Sequence, residues 1–300
     1  MAEPADATDL KSVGLRPLRV QLPPSAPPKL TKVNQKLTND FFQSRRDGLS
    51  PETLKFYRGY LNLSESVIGI GVSGQQIRQF INTLQCSSAG KHAYYRTLRA
   101  FYNWLYSPKS GYGFKAQNNP MLMVDSPKVQ RKILPSLTAE QVSSLINQAE
   151  SVRDKAIISL FCDSGLRLSE VVSIKPKDID WDNRLIKVWC KGNKEGLAPF
   201  GDRTESLLRE WLFQYQPNGN LWGIHKWGIV RMLNTLKEKT GLKCNAHTFR
   251  RSFATILANS GVDSIHIMRL GRWESIQMVE RYTRSVTFED SMKHYRAPLG

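Results

Sequence analysis

Two arginines, a lysine and a histidine are what a tyrosine hydroxyl needs to attack a phosphodiester without a metal, and this chain carries them in four short stretches after residue 160. The stretches are Ser164-Gly165-Leu166-Arg167-Leu168-Ser169-Glu170, Cys190-Lys191-Gly192-Asn193-Lys194, His247-Thr248-Phe249-Arg250-Arg251 and Gly271-Arg272-Trp273, with Tyr282 nine residues beyond Trp273. Such a set points to breaking and exchanging DNA strands.

Each stretch has a plain reading beside the chemical one. Gly165 suits the end of a helix, and Glu170 lies three residues after Arg167, so the two share a helical face. They could form an ordinary surface ion pair, or Arg167 could fork two N–H donors onto two phosphate oxygens, which lysine does not do. His247 and Arg250 are spaced i, i+3 and Arg251 follows at i, i+4, while Phe249, Phe253 and Ile256 fall on the opposite side as core anchors. A lone helical histidine is usually structural. Beside two arginines that weaken its hold on a proton, it becomes a base or hydrogen-bond donor near a phosphate.

Lys191 falls at the tip of a hairpin, where a lysine is commonly just solvated. A flexible ammonium there can also reach a minor groove and protonate a departing 5′ hydroxyl. Tyr282 lies between Arg281 and Arg284. Its ordinary pKa of about 10 makes it a weak nucleophile until cations favour the phenolate or a base takes the proton.

The rest of the chain must position these groups and bind their substrate. Forty-three Lys and Arg against 26 Asp and Glu give a net charge of +17 and a pI near 9.8, which favours a polyanionic partner. A membrane partner is disfavoured, because no run approaches the roughly 18 to 20 apolar residues that span a bilayer. Cys86, Cys162, Cys190 and Cys244 lack zinc spacing and read as free thiols of a reducing cytoplasm. The N-terminus has no secretory pattern, so a cytoplasmic location is expected.

The length of 300 residues suits two domains. Residues 1–31 are Pro-rich and read as a flexible arm. Residues 32–110 hold four predicted helices, one beginning at Ser50-Pro51 and the last running from Ser88 to about Tyr106. That last helix strings together Lys91, His92, Tyr94, Tyr95, Arg96 and Arg99, a pattern that suits either a groove-binding helix or an amphipathic helix with a solvated basic side. Residues 111–133 lose periodicity and read as a linker whose basic end, Lys128, Arg131 and Lys132, could follow a phosphate backbone. Thr138 caps a new helix, Ala156–Cys162 belongs to an apolar helix ending at Gly165, and residues 179–200 alternate with period 2 as a small antiparallel sheet. Helical patterns resume after Asp202, and residues 286–300 allow one short tail helix bearing Phe288, Met292 and Tyr295.

From about Leu134 to Tyr282 the order and spacing of these residues resemble the tyrosine recombinase family, of the lambda-integrase, Xer and Cre type. The strand-cleaving set of that family reads Arg, Lys, His-x-x-Arg, His or Trp, Tyr, and it maps to Arg167, Lys191, His247, Arg250, Trp273 and Tyr282. The resemblance implies a mainly α chain with a small antiparallel β-sheet: an N-terminal helical core-binding domain and a catalytic domain over residues 134–285. It implies that the arginines bind the scissile phosphate, that Lys191 is general acid to the 5′ oxygen, and that His247 assists proton transfer. Trp273 would pack under the nucleophile and donate its indole N–H, and Tyr282 would form a 3′-phosphotyrosyl link needing neither cofactor nor metal.

Most bacterial members have histidine where this chain has Trp273 and often where it has Arg251, and Lys194 is a second candidate for the hairpin acid. Contacts to double-stranded DNA are expected from Lys91, His92, Tyr95, Arg96, Arg99, Lys128, Arg131, Lys132, Lys194 and Arg251, with Glu170 supporting Arg167. The implied assembly is a homo-oligomer, a dimer on each site and a tetramer in synapsis, with the tail tying protomers together and accessory proteins compatible with it. The lack of a folded arm-binding domain before residue 33 favours a simple recombinase with short sites. A type IB topoisomerase-like relaxase and a catalytically silent DNA-binding regulator are the other readings of the same pattern.

Overall fold

The computed structural model describes residues 32–130, 134–190, 194–284 and 286–295. The predicted arm, the linker residues Arg131 and Lys132, and the turn at Lys191 lie outside the described residues. The chain divides into two compact units, residues 1–131 and 132–300.

The first unit contains α1 (Lys32–Arg45), α2 (Pro51–Asn62), α3 (Gly74–Thr83) and α4 (Ser88–Leu105). Small polar residues fix where three of them start: Ser50, Ser73 and Ser87 each accept a backbone N–H of the first turn, and Gln76 completes a capping box with Ser73. Leu37, Phe41, Ile77, Leu98, Phe101, Tyr102 and Leu105 form its buried core. Phe41 sits among the rings of Phe101 and Trp104, with centroids 5.6 and 5.5 Å away. The buried Tyr102 phenol donates to the Val67 carbonyl at 2.7 Å, so its polar end is satisfied.

The segment read as a linker is partly folded. Short 3-10 turns at Ala116–Asn118 and Pro120–Met123 replace the missing periodicity, and Met121 and Val124 are buried in the first unit's core. Tyr112 stacks on Phe114 and donates to Asp40 at 2.6 Å, a bond that with burial pushes the phenol up to about 12. Gly74 explains how the last turn packs so closely, since a Cβ there would lie 2.7 Å from the Pro120 carbonyl oxygen.

The second unit contains α5 (Ala139–Gln148), α6 (Val152–Ser164), α7 (Leu168–Ser173), strands β1 (Ile179–Asp180), β2 (Leu185–Cys190) and β3 (Lys194–Pro199), then α8 (Asp202–Gln214), α9 (Lys226–Thr240), α10 (Ala246–Asn259), α11 (Ser264–Leu270), α12 (Ile276–Thr283) and α13 (Phe288–Met292). Helix α6 is apolar on nearly every side because it runs through the centre: Ile157, Ile158, Leu160 and Phe161 are fully buried. Phe161 stacks on Phe249 of α10, which joins the two helices that carry the site. The antiparallel sheet has the order β1-β2-β3, and Cys190 pairs with Lys194 at its open end. Its alternation places Ile186 and Val188 in the core and leaves Trp189 exposed.

Candidate active site

Four chain segments converge, and three of them meet through one arginine. Helix α6 ends at Gly165, whose φ of +58° is the left-handed conformation glycine adopts freely. A Cβ at that position would come within 2.6 Å of the Phe253 ring, so the turn sits hard against α10. The tight stop frees the Gly165 carbonyl and starts α7 with Arg167 at its N-cap.

Glu170 holds Arg167 twice: Oε2 accepts the Arg167 backbone N–H at 2.9 Å and Oε1 accepts its guanidinium at 2.9 Å. The carboxylate is only 2 % exposed, so this is no surface ion pair. Burial alone would raise the Glu170 pKa. The Arg167 charge, the two hydrogen bonds and the Arg272 charge outweigh it and hold the carboxyl below its ordinary value.

Arg250, on α10, is buried and donates to the Gly165 carbonyl and, at 2.6 Å, to the Gly271 carbonyl. It therefore bridges the turn before Arg167 to the turn before Trp273. Its guanidinium carbon lies 4.3 Å from the Trp273 ring centre, a cation–π contact away from bulk water. Burial first, then the Arg167 charge, push its pKa down to about 9, which leaves it a cation at neutral pH. Trp273 also meets Phe253 at 6.1 Å and Tyr282 at 5.5 Å between ring centres. Its indole N–H is buried with no hydrogen-bond partner among the described residues.

Tyr282 lies on α12, half-buried, and its backbone carbonyl accepts the Thr255 hydroxyl of α10 at 3.1 Å. His247 is half-buried in the first turn of α10, after the Asn245 N-cap. Of the six residues of the cleaving set, Arg250, Trp273 and Tyr282 are joined by these contacts, Arg167 follows the Gly165 turn that Arg250 holds, and His247 shares the helix of Arg250. Lys191 lies outside the described residues, but Cys190 before it is near enough to feel the charges of Glu170, Arg272, Arg167 and Arg250.

The sequence pattern assigns Arg272 no role. It adopts φ +55°, rare for a residue with a side chain, and its guanidinium reaches Ser164, Leu197 and Leu270 carbonyls. The nearest sequence signal is a fourth arginine in stretches whose conspicuous acid is Glu170. The αL backbone that turns it inward leaves no trace in sequence.

The DNA-contact residues divide by exposure. Arg99, Lys128 and Lys194 are exposed, and Lys91, His92 and Arg96 are half-buried. Lys91 donates to the Asn82 carbonyl at the end of α3 at 2.9 Å. Burial and then the Arg96 charge lower the His92 pKa. Tyr95 departs from the expectation: at 7 % exposure it belongs to the core, because its helical spacing to Leu98, Tyr102 and Leu105 places it on the apolar stripe. Arg251 is also buried, with donors directed at the Pro135 carbonyl and the Thr248 hydroxyl, so it braces the start of the unit. Arg131 and Lys132 lie outside the described residues.

Comparison with known proteins gives the family and the fold. The phage integrase family pattern matches residues 135–288. The tyrosine recombinase XerA of Saccharolobus solfataricus is 32 % identical over 161 residues, 53 % of this chain and 55 % of its own length. A tyrosine recombinase XerC of Staphylococcus epidermidis is 31 % identical over 206 residues, 62 % of this chain and 68 % of its own. The chain thus spans little more than half the length of the first relative and about two thirds of the second. A lambda integrase dimer bound to a COC′ core site superposes with a TM-score of 0.70 over 83 % of this chain and 94 % of that one, at 14 % identity, so it shares the fold. The XerH site-specific recombinase on its palindromic difH substrate superposes at 0.67 over 87 % of this chain and 82 % of that one, at 20 % identity. The chain belongs to the phage integrase family, the tyrosine recombinases.

Proposed function

We propose that this chain is a site-specific DNA recombinase that cuts and rejoins double-stranded DNA through a covalent 3′-phosphotyrosine. The observation that carries the reading is the stack of Arg250 on Trp273 beside Tyr282, with Arg167 held by Glu170 just past the Gly165 turn that Arg250 grips. Guanidinium groups preorganised in a partly dry site stabilise the charge that develops on the phosphoryl oxygens, and they need no reorganisation during the step.

In the proposed step the Tyr282 oxygen attacks phosphorus, the phenol proton leaves with His247 assisting, and the bond from phosphorus to the 5′ oxygen breaks. Lys191 gives that oxygen its proton. The phosphodiester energy is kept in the tyrosyl ester, so a 5′ hydroxyl from a second duplex reverses the reaction and completes the exchange. Arg167 and Arg250 bind the phosphate, and the Trp273 indole N–H, buried without a partner among the described residues, donates to one of its oxygens. Arg96, Arg99 and Lys128 supply contacts to the duplex backbone. Mixing two duplexes that carry the site tests recombination directly. Exchanged products are expected, and site binding with relaxation or no breakage rejects the assignment.

Assembly belongs to the same proposal: a dimer on each site and a tetramer in synapsis. Helix α13 exposes Phe288 and Met292, and Tyr295 follows it, also exposed, an apolar set suited to a neighbouring protomer. Deleting residues 286–300 is expected to abolish cooperative assembly on paired sites. Unchanged cooperativity would remove the tail from the assembly.

A further inference from the structure

Arg272 ties strand β3 to the ends of α6 and α11, two ends that Arg250 already links through the Gly165 and Gly271 carbonyls. One terminal nitrogen donates to the Leu197 carbonyl of β3 at 3.0 Å and the Leu270 carbonyl of α11 at 2.7 Å, and the other donates to the Ser164 carbonyl of α6 at 2.8 Å. Its Nε is buried with no hydrogen-bond partner among the described residues. The stem crosses the hairpin at Gly196, where a Cβ would lie 3.0 Å from Arg272 Cδ and 2.9 Å from Cys190 Sγ. A glycine in mid-strand gives up side-chain packing, and here it opens the gap the arginine crosses.

We propose that Arg272 is a positioning residue for strand cleavage, fastening the β2–β3 hairpin to the turns that carry Arg167 and Trp273, so that the proton for the leaving 5′ oxygen comes from a fixed hairpin. The inference rests on the hairpin supplying the general acid. Two properties make arginine the residue for this task. Its planar fork serves three carbonyls at once, which an ammonium on a shorter reach does not. It also takes an αL backbone at Arg272, which directs the side chain from α11 toward the sheet. Misplacing a proton donor by about 1 Å costs on the order of 10²-fold in rate, so a loose hairpin slows protonation more than phosphate binding.

A leaving group that needs no proton separates this role from a structural one. In a nicked duplex carrying the sequence recovered from DNA ends trapped on the wild-type chain, sulfur replaces the bridging 5′ oxygen. The bond from phosphorus to sulfur then breaks to a thiolate, a far weaker base than an alkoxide, which leaves without needing a proton donor. Arg272→Lys is expected to slow covalent capture of the oxygen-bridged duplex about tenfold to hundredfold and to capture the sulfur-bridged duplex at the wild-type rate, with unchanged affinity for the site. Gly196→Ala retains the guanidinium and pushes its stem aside, so it should show the same sulfur-selective recovery, and it serves if Arg272→Lys does not fold.

Equal slowing on both linkages, or none on either, overturns the proposal. Lys191→Ala is the parallel control. If sulfur restores Lys191→Ala but not Arg272→Lys, the positioning role is wrong and the acid assignment stands. If sulfur restores Arg272→Lys but not Lys191→Ala, the hairpin acts through another group and the positioning role stands. If it restores neither, both are wrong.

Discussion

Glu170 accepts both the backbone N–H and the guanidinium of Arg167 at 2.9 Å, so one buried carboxylate sets the position and the direction of the arginine. Glu170→Gln keeps the shape but leaves the Arg167 charge without its counterion. We expect covalent capture to slow about tenfold to hundredfold with site affinity little changed, because orientation is lost more than binding. Charged hydrogen bonds of this kind contribute about 1.5–3 kcal/mol, and the variant should lose stability on that scale at neutral pH. The folded pKa of Glu170 lies below its ordinary value, so its contribution is complete above the unfolded value of about 4.3 and fades as pH falls through the folded one. Urea denaturation at descending pH should therefore show the gap between wild type and Glu170→Gln closing in acid. A gap that widens in acid would contradict the burial and pairing described.

Trp273 separates packing from chemistry. Trp273→Ala removes a buried ring that touches Phe253, Arg250 and Tyr282, and it is expected to cost about 3–5 kcal/mol. Trp273→Phe keeps most of the apolar contact and deletes an indole N–H that has no partner among the described residues. Its stability should stay within about 1.5 kcal/mol of wild type while capture slows, since the donor works only when a phosphate oxygen is present. Denaturation and capture measured on the same preparations decide this, and a Phe variant that captures DNA at the wild-type rate removes the indole from the mechanism.

Helix α4 should bind DNA through its polar side alone. Arg96→Ala and Arg99→Ala are expected to weaken site binding and to lower the salt dependence by about one phosphate contact each, close to 0.9 in the slope of log K against log salt. Tyr95→Phe changes a core residue and should leave both untouched. Fluorescence titrations across a salt series give all three slopes. A Tyr95→Phe variant with the largest effect would reverse the assignment of the two sides.

Much of this was legible in sequence because local chemistry decided it. Ser50 before Pro51, Thr138 before Ala139, and Gly165 after an apolar run each announce a helix boundary through a single hydrogen bond or a single dihedral angle, and all three stand where expected. The cleaving set was legible because its residue types and order are those the chemistry requires. What escaped depends on neighbours remote in sequence. The turns after Pro108 follow no period, so Met121 and Val124 gave no sign that they close the first core. Tyr95 and Arg96 are adjacent in a basic-aromatic string, and only the packing of Leu98 and Tyr102 shows that one faces in. Arg272 reaches carbonyls up to 108 residues away, a relation no local pattern records.

The central claim is the identity of the nucleophile. Wild-type protein is incubated with a nicked duplex bearing its site and digested, and the peptide that retains nucleotide is sequenced by mass spectrometry. The expected result is a single adduct in which a 3′ phosphate is esterified to Tyr282, absent from Tyr282→Phe. An adduct on another residue, a 5′ phosphate linkage, or the same adduct yield from Tyr282→Phe would contradict it.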